Sequence, residues 1–190
     1  MMLTAGNLRV AHVSTHVSLA EACRRVKKDR ILRVAELTRE ALQRFGIAAP
    51  RIAVAGLNPH CGEGGLFGDE DAREIGPAVE AARARGITVD GPIPADTVFP
   101  KMKGGMYDAV VVMYHDQGHI PIKLIGFEYD ESTGAWVGMS GVNVTLGLPI
   151  IRTSVDHGTA FDKAGLGQAN EQSMLEALRL AASLAGTPAA

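Results

Sequence analysis

The stretch Tyr107–Gly118, YDAVVVMYHDQG, places an apolar run directly before a polar loop that contains glycine. The run Ala109–Met113 is typical of a buried β-strand, and His115 follows it. Strands that feed such loops are the units of open parallel α/β sheets. In these sheets, ligands bind in the crevice at the carboxyl ends of the strands. The stretch therefore indicates both a fold class and a place to look for a site.

Two other apolar runs have the same arrangement. Leu8–Val13 comes before His16, and Ile52–Ala55 comes before His60. Because parallel strands present their carboxyl ends to one crevice, we expect the three imidazoles to converge on a single metal ion. Three histidines with an open fourth position are typical of a catalytic metal site. No local zinc motif applies at this spacing, so any one of them could equally be an ordinary loop histidine.

Helical patterns lie between these strands. Ser18 and Glu21 form a capping box, and apolar residues at helical spacing follow as far as Phe45. The segment VKKDR leaves open whether this is one helix or two. A second helix is predicted over about 69–85, with acidic residues in its first turn and arginines in its last. The alternation of strand and helix predicts a parallel sheet with helices on its faces.

Three features follow the last of these strands. Glu128–Gly141 is polar and glycine-rich and carries the only tryptophan, so we expect a hairpin or an arm. VNVTLGLPIIRTSV predicts two short strands. Glu171–Ala185 predicts a closing helix. The predicted apolar face of this helix consists of Leu175, Leu178 and Ala182.

Composition excludes several classes of function. The 190 residues suffice for a full hydrophobic core. With 19 basic and 21 acidic residues the net charge is −2, and no basic stripe is present to bind a nucleic-acid backbone. No apolar run could span a bilayer, and the first residues do not resemble a signal peptide. We expect a cytoplasmic protein that binds neither nucleic acid nor membrane.

Other polar residues accompany the histidines at the predicted crevice. Asp96 and Asp116 could orient an imidazole, join the metal or take a proton, although Asp96 could equally be a turn residue after Pro94. Three further residues could help to hold an anion, because each follows or ends an apolar segment. The lysine among them could also exchange a proton. This set is Lys123, Asn143 and Arg152.

Two loops could approach a ligand closely. GLNPHCGEGGLFG is rich in glycine but fits neither common phosphate-binding pattern. SVDHGTAFDKAG contains Asp156, His157 and Asp162 and could hold an adenine and a ribose. By composition alone, the second loop could equally be an ordinary surface loop.

Five motifs together resemble one family. THVSL, GLNPHCGEGG, GPIPADT, MYHDQG and VNVTLGLPIIRTSVDHGTA, in this order, closely resemble the 4-hydroxythreonine-4-phosphate dehydrogenases of vitamin B6 synthesis. The resemblance implies an α/β/α sandwich similar to isocitrate and isopropylmalate dehydrogenases, with a mostly parallel sheet. It also implies oxidation of a phosphorylated hydroxy acid with NAD or NADP, loss of carbon dioxide from the product, and a homodimer with its site at the subunit interface.

The resemblance also implies roles for individual residues. A divalent metal (zinc, or alternatively magnesium, manganese or cobalt) would bind His16, His60 and His115. The substrate would contact Lys123, Asn143 and Arg152, while Lys123 or a site aspartate, Asp96 or Asp116, would exchange protons. HGTAFDKAG resembles the nucleotide loop of the related dehydrogenases. The implied cofactor contacts are His157, Gly158, Thr159, Ala160, Asp162 and Gly165.

Members of the family are substantially longer, so we expect the N-terminal half-domain to be missing. Residues 1–150 would then form the metal- and substrate-binding α/β domain. Residues 151–190 would form the nucleotide-binding loop and a closing helix that belong to the absent first domain.

HDQGHIPIK and the 128–141 segment resemble a sibling group that acts on acids such as phospho-D-threonate, and cis-dihydrodiol dehydrogenases are a third relative. A catalytically incomplete, metal-binding remnant is the alternative to an active enzyme.

Overall fold

The computed structural model describes residues 1–132 and 134–186, with only the backbone at residues 135, 137, 139 and 162. The strands are β1 Met2–Ala5, β2 Leu8–His12, β3 Ile52–Ala55, β4 Val89–Ile93, β5 Ala109–Val112, β6 Phe127–Asp130, β7 Ala135–Met139, β8 Val142–Val144 and β9 Thr153–Val155. The α-helices are α1 Leu19–Arg25, α2 Lys28–Arg44, α3 Gly76–Ala84, α4 Ala95–Lys103, α5 His115–Gly126 and α6 Gln172–Gly186. A π-helical turn, Asp71–Ile75, leads into α3, and a 3₁₀ turn spans Phe161–Lys163. Pro59–Gly65 is a series of tight turns in which residues 60–64 have positive φ angles.

Seven strands form one sheet in the order β4-β3-β5-β2-β1-β8-β9. The pairs β4–β3, β3–β5 and β5–β2 are parallel, and the pairs β2–β1, β1–β8 and β8–β9 are antiparallel. It follows that β2, β3, β4, β5 and β8 all run in one direction, so their carboxyl ends lie at one edge. The predicted α/β class with a mostly parallel sheet is confirmed.

Alternating side chains of the central strand β5 separate two apolar cores. Ala109 and Val111 belong to the core beneath α2, α3 and α6. Val110 and Val112 belong to the core beneath α4 and α5, which includes Ile122. Because a strand buried on both faces cannot alternate apolar with polar residues, β5 consists of alanine and valine alone. Helices cover both faces of the sheet, as the predicted α/β/α sandwich requires.

Several predicted elements are confirmed. The capping serine Ser18 accepts a hydrogen bond from the Glu21 amide at 3.2 Å, and the helical region after it divides into α1 and α2. The 128–141 segment is a hairpin of β6 and β7. The next two predicted strands are β8 and β9, which pair antiparallel. No helix among the residues that the structure describes is long and apolar enough to cross a membrane.

Two elements were not predicted, and one local prediction was wrong. Strand β1 precedes the first predicted strand and, after a turn at Gly6, pairs antiparallel with β2. Asp96, for which a site role and a turn were both left open, lies in the first turn of helix α4. The residues after β5 form no loop, because α5 begins at His115.

Helix α5 contains Gly118 and Pro121, two residues of low helix propensity. The glycine is explained by the packing of the helix on the sheet. A Cβ atom on Gly118 would lie 2.5 Å from His12 Nε2 and 2.7 Å from Val10 Cγ1. These atoms belong to β2, so glycine allows the helix axis to approach the sheet more closely than any other residue would. This contact holds the first turn of α5 at the edge of the sheet.

The predicted apolar face of α6 was also wrong. Leu175 and Leu178 are 43% and 59% exposed, and Ala182 is exposed as well. The side of α6 that meets the sheet carries the small residues Ser173 and Ala177. Ser173 Oγ donates to the Gly141 carbonyl at 2.6 Å, and Thr153 Oγ1 donates to the Ala177 carbonyl at 3.0 Å. Small side chains let the start of the helix contact β9 directly, while Leu180 and Leu184 pack inward farther along and Leu175 and Leu178 face outward.

The segment after residue 150 packs on the same sheet as the rest. Val155 of β9 pairs with Val142 of β8, and Ala177 of α6 lies in one of the two cores. The division of the chain at residues 150 and 151 stays a prediction.

We predict that Gly118→Ala destabilises the fold by about 1–3 kcal/mol, because the added methyl group overpacks the contact with β2. The free energy of unfolding in urea measures this loss. Gly76→Ala is the matched control, since its added Cβ would lie 3.4 Å from the Asp71 carbonyl, an ordinary contact at the start of α3. Equal stability of the Gly118→Ala variant and the wild type would contradict the packing role.

Candidate functional site

Two of the predicted metal ligands lie side by side at the carboxyl edge of the sheet. His16 lies in the loop after β2, and His115 is the first residue of α5, directly after β5. Their ring centroids are 5.4 Å apart. Both line a cleft of about 570 Å³, whose other lining residues are Thr15, Val17, Ser18, Leu19, Ala22, Tyr114 and Asp116.

The two rings fit a shared metal ion. Imidazoles that bind one tetrahedral zinc at about 2.0 Å have ring centroids roughly 5 Å apart, close to the observed separation. His115 Nδ1 donates to Asp116 Oδ1 at 2.6 Å. This bond fixes the tautomer that leaves Nε2 as the ligand atom, an arrangement common for metal-binding histidines. A borderline metal such as zinc therefore suits this pair.

Two further histidines extend from the cleft into the protein. The His119 ring stacks on the His115 ring with centroids 3.6 Å apart, and its Nδ1 donates to the His115 carbonyl at 2.9 Å. The His12 ring follows at 4.8 Å from His119. Burial, more than the neighbouring imidazoles, lowers the pKa of His12 to about 3 and that of His119 to about 4. Both rings are neutral near pH 7, and the His119 ring packs directly against the His115 ring.

The third predicted ligand, His60, lies on a separately anchored loop. His60 and Cys61 have positive φ angles, 51° and 55°. The loop keeps this conformation because the buried carboxylate of Asp71 accepts bonds from the backbone amides of Leu57 and Asn58, both at 3.0 Å. The His60 ring is exposed and its centroid lies 6.4 Å from that of Phe67.

A buried glutamine, Gln117, connects the start of α5 with the start of the loop that carries His60. Gln117 Oε1 accepts a bond from the Met113 amide at 2.7 Å, and its Nε2 donates to the Gly56 carbonyl at 2.7 Å. The side chain therefore ties the start of α5 to the start of the His60 loop. Sequence reasoning missed this residue, because a lone glutamine in a polar motif carries no local signal of such a bridge.

Asp96 lies near the His60 loop. It is exposed, in the first turn of α4, and its charge acts on the thiol of Cys61. Burial, with smaller contributions from the carboxylates of Asp71 and Asp96, raises the pKa of Cys61 to about 11. The thiol is therefore protonated near pH 7. The carboxylate of Asp96 is free to face a ligand at the edge.

Lys123 and His115 both act on the carboxylate of Asp156. From the sequence, Asp156 was assigned only to the predicted nucleotide loop. Asp156 is half-buried, and burial raises the pKa of its carboxyl, while Lys123, His115 and His157 act in the opposite direction. Its Oδ2 atom is buried without a hydrogen-bond partner among the described residues. Asp156 thus links Lys123, His115 and the predicted nucleotide loop electrostatically. The Lys123 ammonium also lies 5.3 Å above the Phe127 ring.

The two other predicted substrate contacts lie on the β8–β9 hairpin. Asn143 is in the middle of β8 and half-buried, and its Oδ1 has no hydrogen-bond partner among the described residues. Arg152 is exposed, and its Nη1 donates to Thr145 Oγ1 at 2.7 Å. No described contact connects either side chain with His115.

The predicted cofactor loop is mostly exposed. His157 is half-buried, and its Nδ1 donates to the Gly158 carbonyl at 2.8 Å. Ala160 and Gly165 have positive φ angles of 48° and 75°. Thr159 is exposed, and the side chain of Asp162 lies outside what the structure describes.

The structure thus brings together part of the predicted set. His16, His115 and Asp116 share one cleft, and Lys123 and His115 both act electrostatically on Asp156. Within residues 1–132 and 134–186, no three His, Cys, Asp or Glu side chains form a group arranged to hold a metal ion. The three-histidine metal site therefore stays a prediction.

Comparison with known proteins gives consistent results. A family model described as pyridoxal phosphate biosynthetic protein PdxA matches residues 1–181. The chain is 56% identical over 186 residues to a D-threonate 4-phosphate dehydrogenase from Cupriavidus necator, covering 97% of this chain and 53% of the relative. It is 54% identical over 185 residues to a 4-hydroxythreonine-4-phosphate dehydrogenase from Geobacter metallireducens, covering 97% and 51%.

A solved structure gives the same result for the fold. The crystal structure of a 4-hydroxythreonine-4-phosphate dehydrogenase from Klebsiella pneumoniae superposes with a TM-score of 0.82 at 49% identity, covering 97% of this chain and 53% of that one. The chain therefore spans about half the length of the relatives it matches.

We predict that Asp71→Asn loosens the His60 loop, because an amide group cannot accept from both Leu57 and Asn58. Loss of such a bond costs about 1–3 kcal/mol. Hydrogen exchange of these two backbone amides should become at least tenfold faster. Asp69→Asn is the control, since that exposed carboxylate pairs with Arg73 at the surface. Unchanged exchange in Asp71→Asn would refute the anchoring role.

Proposed function

Because the chain belongs to the PdxA family of pyridoxal phosphate biosynthetic proteins, we propose that it forms the metal- and substrate-binding part of a dehydrogenase. This enzyme oxidises a phosphorylated hydroxy acid with NAD or NADP. The observation that carries the proposal is the pair His16 and His115 in one cleft, with His115 oriented by Asp116. The other half of the relatives' length would complete the enzyme.

The proposed substrates are those in the names of the relatives. One is D-threonate 4-phosphate, the substrate named for the Cupriavidus relative, and the other is 4-hydroxythreonine 4-phosphate, named for the Geobacter relative. Both are short hydroxy acids that carry a carboxylate and a phosphate. The identities of 56% and 54% do not separate them, so we propose the shared class.

The residues proposed to hold the metal are His16, His60 and His115. When bound, a divalent ion such as zinc, magnesium, manganese or cobalt would lower the pKa of the substrate hydroxyl and stabilise negative charge on its oxygen. The hydrogen bond from His115 to Asp116 keeps the ring in one tautomer and increases its basicity. Asp116 is thereby a positioning residue, while its other carboxylate oxygen could exchange a proton.

The proposed oxidation would need NAD or NADP as the acceptor of the hydride from the carbon that bears the hydroxyl, while this chain would supply the groups that move protons. Lys123, Asp96 or Asp116 would accept the hydroxyl proton. In the second step the bond between the carboxylate and the adjacent carbon breaks, and its electron pair moves toward the new carbonyl. Protonation of the resulting carbon completes the decarboxylation. Lys123 is suited to this return, because it acts electrostatically on Asp156, the carboxylate that His115 also influences.

The carboxylate and the phosphate of the proposed substrate need hydrogen-bond donors. Arg152 is exposed on the β8–β9 hairpin, and a guanidinium binds phosphate or carboxylate with two parallel hydrogen bonds. Asn143 could donate from its amide group. Residues His157, Gly158, Thr159, Ala160, Asp162 and Gly165 stay the proposed contacts of the cofactor.

A homodimer with a shared site is part of the proposal. Helix α5, which begins at His115, exposes large apolar side chains on its outer surface. Leu124 is 79% exposed and Ile120 is 64% exposed. Contiguous apolar side chains on a surface are typical of subunit contacts, so a second copy could cover this helix next to the site.

Turnover of a completed enzyme tests the proposed function. The chain is fused to the part of the Cupriavidus relative that it does not cover, and reduction of NAD and NADP is followed with each proposed substrate and added zinc or magnesium. We expect reduced coenzyme to form in proportion to substrate consumed. We expect His115→Ala to lose at least a hundredfold in kcat/KM, as removal of a metal ligand should.

Circular dichroism confirms folding of both fusion proteins before the assay. Arg33→Ala, on the far surface of α2, should leave turnover unchanged. A folded fusion protein that reduces neither coenzyme, with any of these substrates and metals, would contradict the proposal and favour the incomplete, metal-binding remnant.

A further inference from the structure

Four imidazole rings form a continuous column between β2 and α5, and we call it the histidine column. From the cleft inward it consists of His16, His115, His119 and His12, with successive ring centroids 5.4, 3.6 and 4.8 Å apart. His16 and His115 are proposed metal ligands. The proposed reaction gives the two inner rings no role, although the His119 ring is in direct contact with a proposed ligand.

The contact between His115 and His119 is a face-to-face stack. The two ring planes are only 9° apart and the centroids are 3.6 Å apart, so the rings overlap with little lateral offset. The rings of His115 and His16, in contrast, are inclined at 57°. His119 therefore covers one face of the His115 ring and leaves the ring edge, which carries the nitrogens, open to a metal ion.

The stack restrains a side chain that has little other support. The last torsion of a histidine is broad, so an imidazole without contacts turns over a wide range about its Cβ–Cγ bond. The hydrogen bond from His115 to Asp116 restrains one edge of the ring, but the Asp116 side chain is itself 69% exposed. A turn of the His115 ring about the same bond would drive it into the ring of His119.

His119 is suited to restrain its neighbour because it is held on several sides. It is 8% exposed, and its Nδ1 donates to the His115 carbonyl at 2.9 Å. The ring of His12, a residue that is 1% exposed, lies 4.8 Å away on β2. Since a helix carbonyl and a strand side chain both contact His119, the plane of its ring is set by the packing of α5 on the sheet.

The plane of the His115 ring decides where a metal ion can bind. An imidazole coordinates a metal through a nitrogen lone pair that lies in the plane of the ring. Turning the ring of His115 would therefore move this lone pair relative to His16. Loss of a group that orients a ligating histidine typically weakens metal binding by a factor of about 10–100.

We infer that His119 is a positioning residue for the proposed metal site, because its buried ring holds the His115 ring in the plane from which Nε2 reaches an ion shared with His16. The inference rests on the proposed function, which supplies the metal. His119 follows His115 by one helical turn, so this restraint is built into α5 and does not depend on the loop that carries His60.

Three variants at one position separate the ring of His119 from its hydrogen bond. His119→Phe keeps a flat ring without the Nδ1 donor, His119→Asn keeps a donor at the place of Nδ1 without the ring, and His119→Leu removes both. Zinc affinity is measured by competition with a coloured chelator. We expect the phenylalanine variant to bind within about threefold of the wild type, and the other two to bind at least about tenfold more weakly.

Ile122→Val is the matched control for stability. Ile122 is 1% exposed and lies on the same helix, in the core between α5 and the sheet. The substitution removes a methylene group from that core and alters no histidine, so it should lower the melting temperature and leave zinc affinity unchanged. A loss of zinc affinity equal to that of His119→Leu would overturn the inference, because general loosening of α5 would then explain both.

Nuclear magnetic resonance of the chain without metal gives a second measurement. Protons that lie over the face of an aromatic ring resonate upfield of their usual positions. The ring protons of His115, assigned by their loss in His115→Gln, should be shifted upfield in the wild type and in His119→Phe. In His119→Asn and His119→Leu they should return to the positions of an exposed histidine.

The outcomes distinguish the inference from the proposed function. Equal zinc affinity in the wild type and in folded His119→Leu would overturn the inference and leave the proposed function intact. Identical His115 ring signals in these two proteins would overturn it as well. A wild type that binds no zinc, but whose His115 signals shift as expected, would refute the proposed metal site and support the restraint of His115 by His119.

Discussion

Four parallel strands, β2, β5, β3 and β4, end at the same edge of the sheet, and the backbone groups at those ends need hydrogen-bond partners. Buried amides and carbonyls without partners are costly. Gln117 bonds the Met113 amide and the Gly56 carbonyl, and Asp71 bonds two amides of the next loop. The same bonds that complete the strand ends also fix the loop that carries His60 and the start of α5, where His115 lies. The hydrogen bonds of Gln117 and Asp71 therefore both stabilise the edge of the sheet and position the candidate site.

The electrostatics of the edge explain how polar groups can lie together without a large net charge. His12 and His119 are neutral because burial lowers their pKa values. Lys123 and His115 act electrostatically on the half-buried carboxylate of Asp156. This arrangement would suit the proposed anionic substrate and proton exchange, because a buried charge is stabilised by an opposite charge nearby.

The strands could be predicted from sequence because buried parallel strands consist of uninterrupted apolar residues, as Ala109–Val112 does. Helix α5 could not, since Gly118 and Pro121 have low helix propensity and the reason for the glycine is a contact with His12 in a distant strand. The inner face of α6 could not be predicted either, because an apolar periodicity does not select a serine. Ser173 lies on this face because its hydroxyl donates to the Gly141 carbonyl in a distant segment. Local patterns thus indicated that His16 and His115 follow strands which end at one edge of the sheet, while the contacts that position them depend on residues far apart in the chain.

We propose that the edge of the sheet gathers His16, His60 and His115 around one metal ion. Crystals of the zinc-loaded protein, measured at the zinc absorption edge, test this placement most directly. We expect one anomalous peak about 2.0–2.1 Å from an imidazole nitrogen of each histidine. A peak elsewhere, or zinc bound while His60 remains beside Phe67, would contradict it.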